Sequence, residues 1–331
     1  MSSRNDAVAT STRKPTTYFD AISRAQAEEM ARDKTVILIG EDQALYAAGG
    51  MFGDVEPGRI RSAPISEPGF SGMAVGAAMT GLRPIVDLTI ASFVYLASDQ
   101  IINQAAKLRF MTGGQFRVPV VYRASMWHNQ SNAAQHSDRP YPMFMNAPGL
   151  KVVVPSTPTN VRGLLKAAIR DDDPVVFFED NDLWPMKEVI PEDPDFVVPL
   201  GKADVVCEGS DITFITVGAC RHPALAAARV LGSEGVSSTV VDVLSLVPMD
   251  RDTILSAAAK TGRVVVVDTA HLTCSAASEI AATIVEKVFD SLRKPVLRVT
   301  APDVNVPFSP ALEKGLFPNE MSILAAARSL L

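Results

Sequence analysis

Cysteine is scarce: Cys207, Cys220 and Cys274 are the three in 331 residues. Their odd number and the lack of C-x-x-C spacing exclude a disulfide framework and a thiol zinc site, and lead us to expect reduced, buried thiols. The four histidines, His128, His136, His222 and His271, are scattered, with no i, i+4 pair of the kind that holds zinc on a helix. Neither G-x-G-x-x-G nor G-x-x-x-x-G-K-[ST] follows a predicted strand, so the chain lacks a nucleotide-phosphate loop. G-x-S-x-G is missing too, which weakens a hydrolase reading. No run of Lys and Arg counters the net charge of −6, which argues against general nucleic-acid binding. No apolar stretch reaches transmembrane length, and residues 1–16 have no signal-peptide core; we expect a disordered tail there and a cytoplasmic protein.

What is present is a soluble globular composition, 47% hydrophobic and 21% charged, with a length suited to two domains. Short, continuous apolar runs alternate with helical patterns, as in parallel sheets buried on both faces. Val36–Gly40, 83–90, 118–123, 151–155 and 175–179 read as strands; 17–33, 93–108 and 158–170 read as helices. Residues 43–63 read as an irregular loop. Prolines and acids crowd 180–203, marking a linker, after which a separate parallel α/β block repeats the alternation.

Around Glu67 the pattern is unusual. Pro68 suits a first helical position, which puts Glu67 at or beside the N-cap, where a helix dipole favours an anion. Gly72, Gly76 and Ala77 leave one face of that helix nearly bare, so another backbone or a flat ligand can come close. Burial and a helix dipole pull in opposite directions on the proton affinity of any carboxylate so placed, which makes such a site a tunable acid. The plainer reading is an N-cap on a buried helix. The run Asp171-Asp172-Asp173, at a helix end, offers free carbonyls and hard oxygens to a cation, or is simply a solvated acidic turn.

Taken together, PISEPGFSGMAVGAAMTGLRP, SDQIINQAAK, MTGGQ, AAQHSD, PGLKVVVPSTP, KAAIRDDDPVVFFE and RVTAPDVNVPFSPALEKGLFP resemble the β subunit of the thiamine-diphosphate-dependent decarboxylating component of 2-oxo acid dehydrogenases. The pyruvate, branched-chain and acetoin enzymes belong to that group. The resemblance implies a transketolase-like α/β fold: a doubly wound parallel-sheet pyrimidine-binding domain over 17–184, a linker over 185–204 and a smaller α/β C-terminal domain over 205–331. It also implies an α2β2 heterotetramer in which the α subunit supplies the magnesium-diphosphate site through Gly-Asp-Gly. This chain contains no Gly-Asp-Gly.

By matching positions, the resemblance makes Glu67 the partner of the ring nitrogen of the cofactor's aminopyrimidine. Glu41 becomes a nearby acid, Phe93 an aromatic packed on the pyrimidine, and His136 a proton-handling group near the incoming lipoyl arm. Without the resemblance, Glu41 reads as a strand-end cap, Phe93 as core and His136 as solvated. Potassium is implied at Val120, Ala168, Ile169, Asp171 and Asp173. His128 has no counterpart and defaults to an exposed loop side chain.

The chain also departs from the family. The loop between Gly40 and Glu67 is short, residues 123–130 replace a Gly-rich turn, Ala91 stands where an aromatic is common, and 267–271 lacks the usual acids and glycines. A 2-oxo acid dehydrogenase β subunit, working with a lipoyl acyltransferase, is the resulting expectation. An acyloin or ketol transferase subunit and a non-catalytic scaffold are the alternatives.

Overall fold

The computed structural model describes residues 14–43, 50, 52 and 55–331. Most of the expected tail and much of the expected 43–63 loop lie outside them. A two-residue strand β1 (Thr16–Thr17) leads into the helix Tyr18–Arg32, whose N-cap is the Thr17 hydroxyl accepting from the Asp20 amide. Next come β2 (Val36–Gly40), β3 (Ile60–Ser62), β4 (Arg83–Ile90), β5 (Val121–Met126), β6 (Lys151–Val153) and β7 (Val175–Asp180). After β8 (Lys187–Glu188), which pairs with β1, the chain continues through β9 (Asp204–Cys207), β10 (Ile212–Thr216) and β11 (Ser238–Asp242). It then forms β12 (Ser245–Val247), β13 (Val264–His271) and β14 (Leu297–Ala301).

Among the described residues, two main sheets result: β12-β6-β7-β5-β4-β2-β3 and β14-β13-β10-β11-β9. All pairings within them are parallel except β12 with β6 and β9 with β11. The continuous apolar runs are strands buried along their whole length, as in β2, β10 and β11. Helices Tyr18–Arg32 and Pro158–Arg170 pack together over one face of the first sheet, and the helix Glu67–Met79 packs on β4. No helix among the described residues is long and apolar enough to cross a membrane.

The second block forms its own five-stranded sheet, while β12 leaves it to pair antiparallel with β6, and one apolar core runs from Val86 and Phe178 into Val243, Leu246 and Ile280. Three sequence expectations need revision. The strand placed at 118–123 lies three residues later, at Val121–Met126, and is buried to its end although it carries Arg123 and Ser125. The single helix at 93–108 is three pieces: a 3₁₀ turn Ala91–Tyr95, a π-helical stretch Asp99–Ala105 and an α-helix Ala106–Met111. π-helical widening is common beside functional sites. Finally, Cys274 is exposed rather than buried.

The proline- and acid-rich linker is strapped down. Arg162, wholly buried on its helix, donates to the carbonyls of Pro191 and Asp193, each at 2.8 Å. Gly163 lets the strap cross: a Cβ there would stand 2.5 Å from Val198. Any larger residue at that position forces the crossing apart.

Candidate functional site

From β2 the chain first adds β3 on one side and then β4 on the other, so the sheet order reverses between β2 and β4. In open α/β sheets, ligands bind beyond the strand C-termini at such a point. Glu41 follows the last residue of β2, Glu67 opens the helix after β3, Phe93 lies in the 3₁₀ turn after β4, and His136 ends a short helix in the loop after β5. Four residues far apart in sequence thus share one edge of four neighbouring strands.

Glu67 is the first helical residue and Pro68 the second; Ser66 occupies the N-cap position and makes no side-chain cap bond. At 5% exposure Glu67 is buried. Among the described residues no side chain donates a hydrogen bond to its carboxylate. An ionised carboxylate withdrawn from water without a partner is costly, and native structures keep such groups where something else supplies the partner. Glu41, half-buried beside it, has its carboxyl raised above the ordinary range by burial and then by the negative charges of Glu67, Asp42 and Asp87.

The small-residue face behaves unevenly. Gly72 faces Gln100 of the π-helical stretch, whose Cγ is 3.4 Å from where a Cβ would be, whereas Gly76 has nothing within 4 Å. Phe93 and His136, read separately from the sequence, meet edge-on with ring centroids 5.7 Å apart.

Beneath this edge runs a charged network that the sequence reading missed. Arg123 of β5 donates to both oxygens of Glu179 on β7, at 2.6 and 3.0 Å, and reaches Asp87 of β4 at 3.2 Å. Gln43 bridges Asp87 and the Glu41 carbonyl. Burial pushes the Glu179 carboxyl up against the pull of Arg123. Bidentate pairing of this kind fixes geometry as well as energy, so the strand ends that carry Glu41 and Phe93 are held rigidly. Its only sequence signal was charge inside otherwise apolar strands.

His128 is buried, not exposed. Its Nε2 lies 2.9 Å from Asp182, its Nδ1 accepts from Arg139, and its ring is 4.7 Å from that of Phe317. His128, Asp180 and Asp182 converge closely enough to hold a metal ion. The Arg139 cation on Nδ1 argues against one: it takes the lone pair a metal would need.

The five residues expected to hold potassium do gather at one turn, and protein groups already meet their oxygens. Val120 and Ala168 carbonyls accept from the amides of Val175 and Asp171. Arg83 Nη1 binds the carbonyls of Ile169 and Asp171 at 3.0 and 2.8 Å, and Lys151 Nζ binds both Asp171 carboxylate oxygens at 2.6 Å. Asp173 pairs with Arg109 and Lys151.

Residues 14–187 match the family described as transketolase, pyrimidine binding domain, and 201–323 match transketolase, C-terminal domain. The β subunit of the Bacillus subtilis acetoin:2,6-dichlorophenolindophenol oxidoreductase is 44% identical, over 94% of this chain and 96% of its own. The 2-oxoisovalerate dehydrogenase subunit beta of the same bacterium is 41% identical, over 95% and 98%. The pyruvate dehydrogenase E1 component subunit beta of Porphyra purpurea is also 41% identical, over 94% and 96%. In fold, the chain resembles a split-gene transketolase solved as an inactive beta4 tetramer, with a TM-score of 0.79 and 24% identity over 95% of this chain and 97% of that one.

Proposed function

This chain belongs to the transketolase-like β subunits of the thiamine-diphosphate-dependent 2-oxo acid dehydrogenases, and we propose that it forms one half of that cofactor's site, with Glu67 as the group that holds the aminopyrimidine. The observation that carries this is the buried carboxylate, unpartnered among the described residues, at the switch point of the sheet. Such a group fits a ligand bearing a basic ring nitrogen. Thiamine diphosphate, when bound, supplies the electron sink for decarboxylating a 2-oxo acid.

Glu67 shares a proton with that ring nitrogen, deep enough in the protein for the exchange to be shielded from water. The Glu41 carboxyl, raised by burial and then by the acids beside it, takes up a proton more readily than an ordinary carboxylate. Phe93 would offer the pyrimidine a flat apolar wall, and its edge contact fixes the His136 imidazole beside that wall. There His136 would hold or hand on a proton while the lipoyl disulfide, as two-electron oxidant, is opened to one S-acyl thioester and one free thiol.

The missing half is an α subunit that provides the magnesium and diphosphate contacts in an α2β2 assembly, with a lipoyl acyltransferase as acceptor. The exposed large apolar side chains near the site support a partner: Met73 on the Glu67 helix, Tyr95, Leu96, Met111 and Phe110, the last 90% exposed. An isolated soluble chain rarely leaves such a patch uncovered. Potassium at the 171–173 turn would have to share Asp171 with Lys151. The test is reconstitution with the α chain, thiamine diphosphate and magnesium, followed by release of carbon dioxide and acylation of a lipoyl domain from pyruvate and branched 2-oxo acids. Turnover that survives Glu67→Gln at the wild-type rate overturns the site.

A further inference from the structure

We propose that Glu313, with Phe317, is a positioning residue for the active-site loop: a clamp from the C-terminal half that sets where His136 stands. This rests on the role given to His136 above. Glu313 closes a four-residue helix, Pro310–Glu313, and is 1% exposed. Its carboxylate crosses to the first half of the chain and accepts the backbone N–H of Asn129 at 2.6 Å and of Ser131 at 3.0 Å.

Those two residues are not ordinary loop positions. Asn129, Ser131 and Ala133 have φ of 57°, 59° and 59°, a conformation that side-chain-bearing residues adopt at a cost and keep only when the surroundings hold it. The Glu313 carboxyl group is what holds it, since its two oxygens accept the two converging amides much as a backbone nest meets an anion. Ala133 begins the short helix that ends at His136. Moving the two amides therefore moves the imidazole.

Phe317 completes the grip. Its ring packs against the hydrogen-bonded pair of His128 and Arg139, with the imidazole centroid and the guanidinium carbon each 4.7 Å from its centroid. Arg139 in turn ties the loop's two ends together by donating to the carbonyls of Trp127 and Ser137, both at 2.8 Å. The 123–130 segment, where this chain departs from the family's Gly-rich turn, is thus fixed by contacts from residues more than 180 positions later.

Two measurements on the reconstituted enzyme decide the matter. In Glu313→Ala, amide exchange at Asn129 and Ser131 rises while exchange in the strands of the second sheet stays as in wild type. Lipoyl acylation falls by about tenfold or more, as expected when a reacting group is displaced by about an ångström, and half-saturation by thiamine diphosphate is unchanged. Glu313→Gln, which keeps one acceptor oxygen and the side-chain length, falls between and serves if the alanine variant does not fold. In a His136→Ala background, Glu313→Ala adds no further loss, because it acts through that imidazole. Unchanged exchange at the two amides, or losses that multiply in the double variant, overturn the clamp. The exchange readout needs no turnover, so an enzyme that decarboxylates no 2-oxo acid sinks the dehydrogenase reading and leaves the clamp standing or falling by itself.

Discussion

The two edges of the seven-stranded sheet treat acidic residues in opposite ways. At the edge where β4, β6 and β7 begin, the carboxylates of Asp171, Asp172 and Asp173 are all taken: Arg83 and Arg117 hold Asp172, Lys151 holds Asp171, and Arg109 holds Asp173. Where β2, β4 and β5 end, Glu67 is buried without a partner among the described residues, and burial, then the charges of Glu67, Asp42 and Asp87, push up the proton affinity of its neighbour Glu41. Both edges come from the same strands, so the fold permits charge to be satisfied at either. One edge is finished within the chain; the other is left for a ligand to finish.

Glu67→Gln attacks this contrast most directly. Activity of the reconstituted enzyme is expected to fall by about a hundredfold or more, on the order of 3 kcal/mol in the barrier. The melting temperature of the free chain is expected to hold or rise, since no hydrogen bond to a described residue is lost and a buried carboxyl group gives way to a neutral amide. A clear fall in melting temperature with activity intact would erase the distinction between the edges. Arg83→Met should do the reverse, costing about 2 kcal/mol in urea unfolding because two carbonyls and a carboxylate lose their donor, with kcat unchanged.

Lys151→Met probes the same edge more gently. The ammonium is only a quarter exposed, and we expect a loss of about 1 kcal/mol. If the turn accepts potassium, adding potassium chloride rather than choline chloride restores the melting temperature in this variant more than in wild type. Equal responses remove the potassium assignment.

The smallest effect concerns Glu41. Because its carboxyl is raised in the folded state, the fold binds that proton more tightly than the unfolded chain does, so stability falls as pH rises from the ordinary carboxylate range through the raised value. Glu67→Gln removes one of the charges responsible. The Glu41 titration followed by carboxyl NMR is then expected to shift downward and that pH dependence to flatten; an unmoved titration would uncouple the two acids.

Local features carried much of this in the sequence. Val36–Gly40 and the other apolar runs could only be strands buried on both faces, and Pro68 with its small neighbours marked the Glu67 helix to within a residue. Order along the chain, not any one motif, singled out Glu41, Phe93 and His136. The features that stayed hidden depend on pairings across long stretches of chain. Nothing near Glu313 announces two amides from residues 129 and 131, and nothing near Arg123 announces Glu179. His128, which has no counterpart in the family and so reads by default as an exposed loop side chain, is covered in space by Phe317 and Arg139.

The exchange of β12 between the two halves also governs the order in which the protein can be made. Until Ser245 leaves the ribosome, β6 has no strand on its outer side, so the first sheet waits with an open edge while residues 154–244 are synthesised. Unpaired edges invite association with other chains. A fragment that stops in the proline-rich linker keeps that edge open, and association with other chains is expected of it where the whole chain stays apart.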